Sequence, residues 1–303
     1  MLISVVVPSH NRSGLLLNAL RAISRQTLEK DLYEVIVVAS ACTDDTVERV
    51  RPLLDERLRL TEVRNGTPAR SRNAGAALAR GKYLAFTDDD CEPEPGWLAA
   101  FLRVIEADSS RAGIGGRTIT RDEGRTPLTH QVENAGGMDL LPTCNLFVKR
   151  EVFEELGGFN EEFLFLNEDT DFSWRLEAFG LDYCPEAVVV HPPRPGTFKA
   201  RVQWMRNLES EFALADRHSS LYAVRRRSPW YWIYWHMMVR THLRYLKSAF
   251  GDILIRKRPD WCLIRLALIF ARSGYCLFLF PSFREARGVQ RAGVAPARTG
   301  CLN

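Results

Sequence analysis

The sequence predicts an α/β protein built on a mostly parallel sheet with helices on both faces. Two observations support this class: short apolar strand patterns alternate with helix signals over the first 90 residues, and the second strand pattern, at residues 34–40, is apolar almost throughout. Continuous apolar strands are typical of sheets covered on both faces, and the alternation is typical of βαβ units. Ligands of such sheets bind beyond the carboxyl ends of the strands, so we expect the site there.

Each element of the first part has its own signal. The predicted strands cover residues 2–9, 34–40, 58–63 and 82–87, and the predicted helices cover residues 13–26, 44–54 and 69–80. Ser13 and Thr43 are expected to cap the first two helices. The third helix has the clearest boundaries, with Thr67 as N-cap, Pro68 at the first helical position and Gly81 just past the end.

The pattern continues beyond residue 90 at wider spacing. Helices are predicted at residues 97–107, 151–156 and 168–179, and strands at residues 112–118, 143–149 and 188–191. The polar segment 121–142 has weak periodicity and is predicted to be a long mobile loop, which in a compact domain is more often functional than idle. A Pro/Gly cluster at residues 192–196 marks the end of a first domain, residues 1–196, and residues 197–303 form a second, helical region.

Length and composition exclude several classes of protein. The chain has 303 residues, of which 46% are hydrophobic and 26% charged, which excludes a disordered or collagen-like chain. Its seven cysteines are at least 14 residues apart, which indicates reduced thiols rather than a disulfide framework or a Cys-x-x-Cys metal site. The chain begins directly with a strand pattern and shows no signal peptide, so we expect a cytoplasmic location.

The two regions carry net charges of opposite sign. Residues 1–196 contain 22 Lys and Arg against 31 Asp and Glu, a net charge of −9, whereas residues 197–303 contain 19 against 6, a net charge of +13. A basic region can attract nucleic acid or an anionic membrane surface, and composition alone leaves both open.

Three consecutive carboxylates, Asp88, Asp89 and Asp90, follow the predicted strand at residues 82–87. Like charges this close repel each other unless positive charge lies among them. Hard oxygen ligands suit Mg²⁺ or Mn²⁺, which commonly keep water and phosphate oxygens as further ligands. Taken alone, the run fits a solvated acidic loop equally well.

The motifs around this run favour the metal site. Five motifs occur in order: Val-Val-Val-Pro-Ser-His-Asn-Arg at 5–12, Val-Ile-Val-Val-Ala-Ser-Ala-Cys-Thr-Asp-Asp-Thr at 35–46, Ala-Arg-Ser-Arg-Asn-Ala-Gly at 69–75, Tyr-Leu-Ala-Phe-Thr-Asp-Asp-Asp at 83–90, and Gly-Gly-Phe at 157–159 leading to Glu-Asp-Thr-Asp at 168–171. Over roughly residues 2–192 this order resembles family 2 glycosyltransferases. The resemblance implies the nucleotide-diphospho-sugar transferase fold called GT-A, a nucleotide-sugar donor, a divalent cation and inversion at the anomeric carbon.

The same resemblance implies roles for individual residues. The donor-binding positions are Pro8, His10 and Asn11 beside the nucleotide base, Arg72 near the nucleotide or its phosphates, Asp88 and Asp89 facing ribose and phosphate, and Asn145 lining the sugar pocket. Asp90, last in the D-x-D pattern, is the implied metal ligand, and His191 matches a histidine that completes the metal shell in some relatives. Ala39 stands where relatives usually place an acid that binds the base, so the donor nucleotide is left open.

Asp169 is the predicted catalytic base. Glu168 and Asp169 open a helix, whose backbone amides stabilise negative charge and are expected to keep a carboxylate ionised. An ionised carboxylate can take the proton of an acceptor hydroxyl as that oxygen attacks the sugar. Glu168 and Asp171 are expected to contact the acceptor or to support the base, and packing is favoured for Trp174.

The second region places aromatic rings beside positive charge, which is typical of a membrane interface. Arg225, Arg226 and Arg227 precede an aromatic run at 230–238, and the basic residues 256–258 precede a 21-residue apolar stretch at 261–281. That stretch contains Arg265 and Arg272, and each arginine costs about 2.5 to 3.5 kcal/mol near the bilayer centre, so we expect an interfacial helix. A soluble appendage and a spanning helix stay open. Nucleic acid is not expected, because no nucleic-acid-binding fold accompanies the charge.

The sequence therefore predicts an inverting glycosyltransferase at the inner face of the cell membrane. Its partners would be a nucleotide sugar, a saccharide or lipid-linked acceptor and an anionic membrane surface, in the synthesis of surface polysaccharide or glycolipid. The alternative is a nucleotide-sugar-binding or scaffolding protein without turnover, since Ala39 departs from one motif. A Rossmann oxidoreductase is excluded because Pro-Ser-His-Asn stands where Gly-x-Gly-x-x-Gly would follow the first strand.

Overall fold

The central feature of the protein is one twisted sheet. The structure is a computed structural model that describes residues 1–134, 141–164, 166–205, 210–225 and 241–278. Within these residues the sheet has eight strands. In chain order they are β1 (Ile3–Ser9), β2 (Tyr33–Ser40), β3 (Leu58–Val63), β4 (Tyr83–Phe86), β5 (Glu92–Pro93), β6 (Gly113–Ile119), β7 (Leu146–Lys149) and β8 (Leu181–Val190).

The strand order is β3-β2-β1-β4-β7-β6-β8-β5. β1 is parallel to β2 and β4, β2 is parallel to β3, and β6 is parallel to β8. β7 is antiparallel to β4 and β6, and β5 is antiparallel to β8. The predicted mostly parallel sheet is confirmed, and the carboxyl ends of β1, β2 and β4 meet at one edge.

Helices connect the strands and continue after the sheet. They are α1 (Ser13–Ser24), α2 (Thr46–Val50), α3 (Pro68–Ala77), α4 (Trp97–Ala107), α5 (Arg150–Glu155), α6 (Glu168–Leu176), α7 (Phe198–Trp204), α8 (Ser210–Arg217), α9 (Ser219–Arg225), α10 (Thr241–Leu254) and α11 (Pro259–Phe278). Short 3₁₀ turns lie at Lys30–Leu32, Arg51–Leu53, Thr143–Asn145 and Glu177–Phe179.

Both faces of the sheet are buried, which explains the apolar strands. Val5 and Val7 pack with Trp97 of α4 in one apolar cluster, whereas Val6 points to the opposite face and packs in a second cluster with Phe153. Each fully buried side chain of this size contributes about 1.5–3 kcal/mol. The sheet is thereby held as a firm support for the loops at its carboxyl edge.

Several element boundaries differ from the prediction. Thr67 caps α3 as expected, since its hydroxyl accepts from the backbone N–H of Arg70 over 3.3 Å. α2 is not capped by Thr43: the Asp44 carboxylate accepts from the backbone N–H of Thr46 over 3.1 Å. Residues 143–145 form a 3₁₀ turn rather than the start of a strand, and the short β5 was not predicted.

The chain divides into two compact units. The first break, after Thr197, lies one residue from the predicted boundary at residue 196, and residues 207–221 belong to the first unit rather than to the second. One unit is Met1–Thr197 with Asn207–Leu221, and the other is Phe198–Arg206 with Tyr222–Asn303. The first unit thus includes α8. The reason is polar contact with the region around α6, because Asn167 donates to the Ser210 hydroxyl over 3.1 Å and His218 lies 2.8 Å from Asp171.

In the second unit α10 and α11 pack against each other. Asp252 of α10 is fully buried and accepts hydrogen bonds from Arg256 and from Arg265 of α11, so one of the two arginines in the apolar stretch is paired inside this helical hairpin. Arg272 is buried as well. Among the described helices, none is both long enough and apolar enough to cross a membrane. Arg226, Arg227, the aromatic run at 230–238 and the end of the 261–281 stretch lie outside the described residues.

Candidate active site

The first two aspartates after β4 are each paired with an arginine. Arg72 donates from Nη2 to Asp88 Oδ1 over 2.7 Å, and Arg12 donates from Nη1 to Asp89 Oδ1 over 2.9 Å. Ser9, the last residue of β1, donates its hydroxyl to the other oxygen of Asp89 over 2.7 Å. Burial raises the pKa of Asp89 to about 6, against the opposing effect of Arg12. Both Asp89 oxygens are therefore occupied by protein donors.

Asp90 lies between two arginines and a histidine. Its Oδ2 accepts from Arg194 Nη1 over 2.5 Å and from Arg12 Nη1 over 3.4 Å, and its Oδ1 lies 3.6 Å from His191 Nε2. The sequence argument looked to a divalent cation for the positive charge that an acidic run requires. Guanidinium groups already provide such charge, and Arg12 and Arg194 are site residues that sequence reasoning missed. Both stand beside predicted residues, Arg12 after Asn11 and Arg194 three residues after His191.

The residues around Asp90 fit a divalent cation. Asp90, Cys91 and His191 each offer one ligand atom, and these atoms lie within 4.8 Å of one another. His191 Nδ1 lies 3.1 Å from the carbonyl oxygen of Pro192. Because a carbonyl only accepts, Nδ1 is the donor in this contact, and Nε2, which lies on the Asp90 side, is the ring atom available to a metal. Burial and contact with Cys144 raise the pKa of the Cys91 thiol, so Asp90 and His191 are the better ligands for a hard cation.

Arg72 of α3 connects the acidic run to α6. Its side chain is buried, and while Nη2 bonds to Asp88, Nη1 donates to Glu168 Oε1 over 3.0 Å. Two carboxylates that are 80 positions apart in the sequence therefore share one guanidinium. This contact brings the start of α6, with Asp169, next to the carboxyl edge of the sheet.

The acids at the start of α6 hold protons more tightly than ordinary carboxylic acids. Burial, followed by the charge of Asp169, raises the pKa of Glu168 to about 7. Burial also raises the pKa of Asp169, against hydrogen bonds from Thr170 and the charge of Arg72. The helix start therefore does not lower the pKa of Asp169 below that of an ordinary aspartate, because the loss of hydration outweighs its effect. A raised pKa makes the deprotonated carboxylate a stronger base.

Asp171 is fully buried and its carboxylate is occupied on both sides. Arg175 donates from Nε and Nη2 to Oδ2 over 2.9 and 2.7 Å, and His218 Nε2 lies 2.8 Å from Oδ1. Trp174 packs edge-on against His218 with 5.5 Å between ring centroids. Asp171 therefore holds α6 to the segment that follows α8, which is a supporting position.

The residues predicted to border the base lie where β1 and β2 end. Pro8 is the last residue but one of β1. Asn11 has a positive φ of 53°, and its Oδ1 accepts from the backbone N–H of Thr43 over 2.7 Å. His10 Nδ1 donates to the Ser40 carbonyl oxygen over 2.5 Å. These contacts connect the residues that follow β1 to those at the end of β2.

Two other predicted features lie in enclosed positions. Asn145 is fully buried, and its amide accepts from Trp97 Nε1 over 2.8 Å and donates to the Ala187 carbonyl oxygen over 3.0 Å. The structure thus joins Asn145 to α4 and β8 and not to the aspartates. Ala39, near the end of β2, is buried and has no side-chain oxygen to offer a base.

The segment predicted as a long loop is tied down at defined points. Residues 121–134 and 141–142, the described parts, contain no helix or strand. His130 and Arg194 exchange two backbone hydrogen bonds of 2.9 Å each. Asn134 donates its amide to the Gly116 carbonyl oxygen over 2.9 Å and accepts from the backbone N–H of Thr118. Arg194, which contacts Asp90, is thus anchored to this loop through its backbone.

Comparison with known proteins points to sugar transfer. The chain is 27% identical over 209 residues to glycosyltransferase AglE of Haloferax volcanii, covering 64% of this chain and 67% of that protein. It is 29% identical over 214 residues to the pre-mycofactocin glycosyltransferase of Mycobacterium tuberculosis, covering 63% of this chain and 43% of the relative. The second match therefore spans less than half of that relative's length.

Solved structures share the fold. The mannosyltransferase PcManGT from Pyrobaculum calidifontis, in complex with GDP-Man and Mn²⁺, matches with a TM-score of 0.62 and 21% identity over 91% of this chain and 86% of that chain. Residues 1–349 of TarS from S. aureus, in complex with UDP-GlcNAc, match with a TM-score of 0.57 and 17% identity over 94% and 92% of the two chains. At these identities the likeness shows the fold alone.

The fold and its relatives define a glycosyltransferase with the GT-A fold. The family model of glycosyl transferase family 2 matches residues 4–164, more than half of the chain. The chain belongs to glycosyl transferase family 2, and the resemblance seen in the sequence is confirmed.

Proposed function

We propose that this chain is an inverting, divalent-cation-dependent glycosyltransferase that moves a sugar from a nucleoside diphosphate to an acceptor hydroxyl. The observation that carries this proposal is the buried guanidinium of Arg72, which bonds to Asp88 in the acidic run and to Glu168 beside Asp169. One side chain thereby joins the acids suited to a donor diphosphate and its cation to the start of α6, where Asp169 is the carboxylate suited to proton transfer.

Asp169 is the general base of the proposed reaction. The acceptor oxygen attacks the anomeric carbon and forms a new C–O bond, while the bond from that carbon to the diphosphate oxygen breaks. The hydroxyl proton passes to Asp169, and the electron pair of the broken bond leaves with the diphosphate. A single displacement of this kind inverts the configuration of the carbon. Asp90 and His191 hold Mg²⁺ or Mn²⁺, which when bound offsets charge on the leaving diphosphate.

The donor occupies the carboxyl edge of β1, β2 and β4. Pro8, His10 and Asn11 border the base. Asp88 faces ribose or phosphate, because its side chain is 28% exposed whereas that of Asp89 is 2% exposed. Asp89 does not contact the donor itself but holds Arg12 in place through an ion pair. Asn145 lies in the core and supports the wall of the sugar pocket. The base is left open because Ala39 offers no acceptor.

The acceptor of the proposed reaction is a saccharide or a lipid-linked saccharide.

The second unit associates with an anionic membrane surface. Support for this association comes from apolar side chains that are exposed at helical spacing: Leu243, Phe250 and Leu254 of α10, and Leu263, Leu266 and Phe270 of α11. Basic residues 256–258 lie in the turn between these helices, and residues 197–303 carry a net charge of +13. Apolar burial together with attraction to anionic lipid is the mode of interfacial helices. This location suits synthesis of surface polysaccharide or glycolipid.

A donor screen tests the proposed function. Nucleotide sugars are assayed by thermal shift with Mn²⁺ and with EDTA, because a ligand that binds only the folded protein raises its Tm. We expect one donor to raise the Tm in the presence of Mn²⁺ only, and NMR of the transfer product to show the inverted anomer. A protein that binds a donor but neither transfers the sugar nor hydrolyses the donor in the presence of metal would instead be a nucleotide-sugar-binding or scaffolding protein.

A further inference from the structure

Arg194 lies on the carboxylate that the proposed cation needs. Its Nη1 is 2.5 Å from Asp90 Oδ2, and the Asp90 side chain is only 6% exposed. An enclosed carboxylate requires a positive partner, and a guanidinium supplies a charge that no ordinary pH removes. A divalent cation bound to Asp90 would bring two more positive charges to the same oxygens. Arg194 and the cation therefore compete for Asp90.

Of the three arginines in the site, Arg194 contacts the fewest carboxylates. Arg72 contacts two carboxylates, and Arg12 keeps its 2.9 Å bond to Asp89 when Asp90 is taken. Among the described residues, the Arg194 guanidinium bonds to Asp90 alone, and its side chain is 29% exposed. Its backbone, in contrast, is fixed by two hydrogen bonds to His130. The guanidinium can thus leave Asp90 while the residue stays beside the site.

We propose that Arg194 is an exchangeable counter-ion: it pairs with Asp90 in the ligand-free protein and contacts the donor diphosphate once a cation has taken Asp90. This inference rests on the proposed function, since it requires a cation and a diphosphate at this site. The planar fork of a guanidinium matches pairs of phosphate oxygens, and an arginine released from Asp90 would stay beside the cation to which the diphosphate binds. Arg194 thereby weakens binding of the free metal and strengthens binding of metal with diphosphate.

These opposite effects give a distinctive test on the full chain. Arg194→Met is compared with Arg125→Met, which removes the same charge from a residue that pairs with Asp122 and Glu133 instead. Mn²⁺ affinity without nucleotide is measured by electron paramagnetic resonance of the free ion, and a panel of nucleoside diphosphates is titrated calorimetrically with saturating Mn²⁺. We expect Arg194→Met to bind Mn²⁺ about tenfold tighter and the preferred diphosphate about tenfold more weakly, as for one charged hydrogen bond. The control is expected to match the wild type within about twofold, since its ion pairs are largely exposed.

Arg194→Lys separates charge from shape. It keeps the positive charge, so its Mn²⁺ affinity should stay near that of the wild type, while its diphosphate affinity should fall because an ammonium lacks the two-pronged contact. Equal behaviour of Arg194→Met and the control, or weaker Mn²⁺ binding by Arg194→Met, overturns the inference while the proposed function stands. A wild-type chain that binds neither Mn²⁺ nor any nucleoside diphosphate overturns both. Circular dichroism melting shows whether each variant is folded.

Discussion

At the scale of single residues, the site is organised by pairing buried acids with arginines. Asp88, Asp89 and Asp90 each accept a hydrogen bond from a guanidinium. Such pairs are stronger than neutral hydrogen bonds, and removing one member leaves the other charge in a poorly hydrated place. The outcome of a substitution therefore depends on how exposed the remaining partner is.

Asp90→Ala is expected to abolish transfer without unfolding the protein. Its main partner, Arg194, is 29% exposed and can hydrate once the carboxylate is gone, so the loss of stability should stay small. Metal-dependent nucleotide binding should disappear because Asp90 is the proposed ligand. Calorimetry and thermal melting check both parts, with the exposed Asp122→Ala as control. Full activity of the wild type in excess EDTA would contradict the metal role.

Asp169→Asn should retain donor affinity while the transfer rate falls by a factor of about 10² to 10⁴, the usual contribution of a general base. The amide keeps the shape of the side chain and cannot accept the proton. Single-turnover kinetics with saturating donor separate the two effects. Comparable turnover of the Asn variant would move the role to Glu168.

The pH dependence follows from the raised pKa of Asp169. A base works only when deprotonated, so kcat/KM should fall as pH decreases, and the fall should begin above the pH range of an ordinary aspartate. Asp169→Asn removes this titrating group, so the fall at low pH should be absent from whatever activity the variant retains. A fall in the pH range of an ordinary aspartate, or one that persists in Asp169→Asn, would show that Asp169 does not control it.

Sequence reasoning could place acidic residues at strand ends but could not pair them with arginines that are distant in the sequence. Asp88, Asp89 and Asp90 follow an apolar strand, which is a local signal. That Arg194 Nη1 reaches Asp90 depends instead on the backbone bridge to His130 and on the parallel pairing of β6 with β8, which no local spacing encodes. The raised pKa of Asp169 could not be predicted from its place at a helix start for a similar reason, because burial is a property of the packed structure.

At the scale of elements, predicted boundaries hold where the local signals agree. α4 was predicted over the range in which it is found, since an apolar face is bounded by a turn before Trp97 and by Asp108 after the last turn. α2 ends early because Pro52 favours a 3₁₀ turn at that point. β8 was predicted too short: Pro185 interrupts its pattern, and the register against β6 shifts between Gly116 and Arg117.

The segment that follows α8 is held to α6 by a contact between His218 and Asp171 that can be tested. His218→Ala leaves Oδ1 of the fully buried Asp171 without this partner, and we expect the free energy of unfolding to fall by about 1–3 kcal/mol. Arg217→Ala, at the neighbouring position, removes a largely exposed ion pair with Glu162 and should cost at most about 1 kcal/mol. Urea unfolding of the two variants makes the comparison. Equal losses would show that the contact with Asp171 contributes no more than a surface pair.

At the scale of the whole molecule, an acidic region and a basic region are joined in one chain. Residues 1–196 carry a net charge of −9 and residues 197–303 carry +13. An anionic surface repels the first and attracts the second, so the basic region is the part that should contact a membrane. Among the described residues, exposed apolar side chains of α10 and α11 accompany this charge.

We predict that the full chain floats with anionic vesicles and that this binding weakens with salt. Screening should weaken the first encounter, since the Debye length falls from about 10 Å at 0.1 M to about 3 Å at 1 M. Replacing Ile255 and Phe270, which are 81% and 82% exposed, by Asn and Gln should lower the affinity for vesicles at least about tenfold, because each apolar side chain contributes about 1.5–3 kcal/mol when buried. The control replaces Leu53 and Leu78, which are 46% and 42% exposed in the acidic region, by the same residues and should float like the wild type. Equal flotation of both variants would show that the membrane contact lies elsewhere in the chain. No flotation of the wild-type chain would show that it does not bind these vesicles.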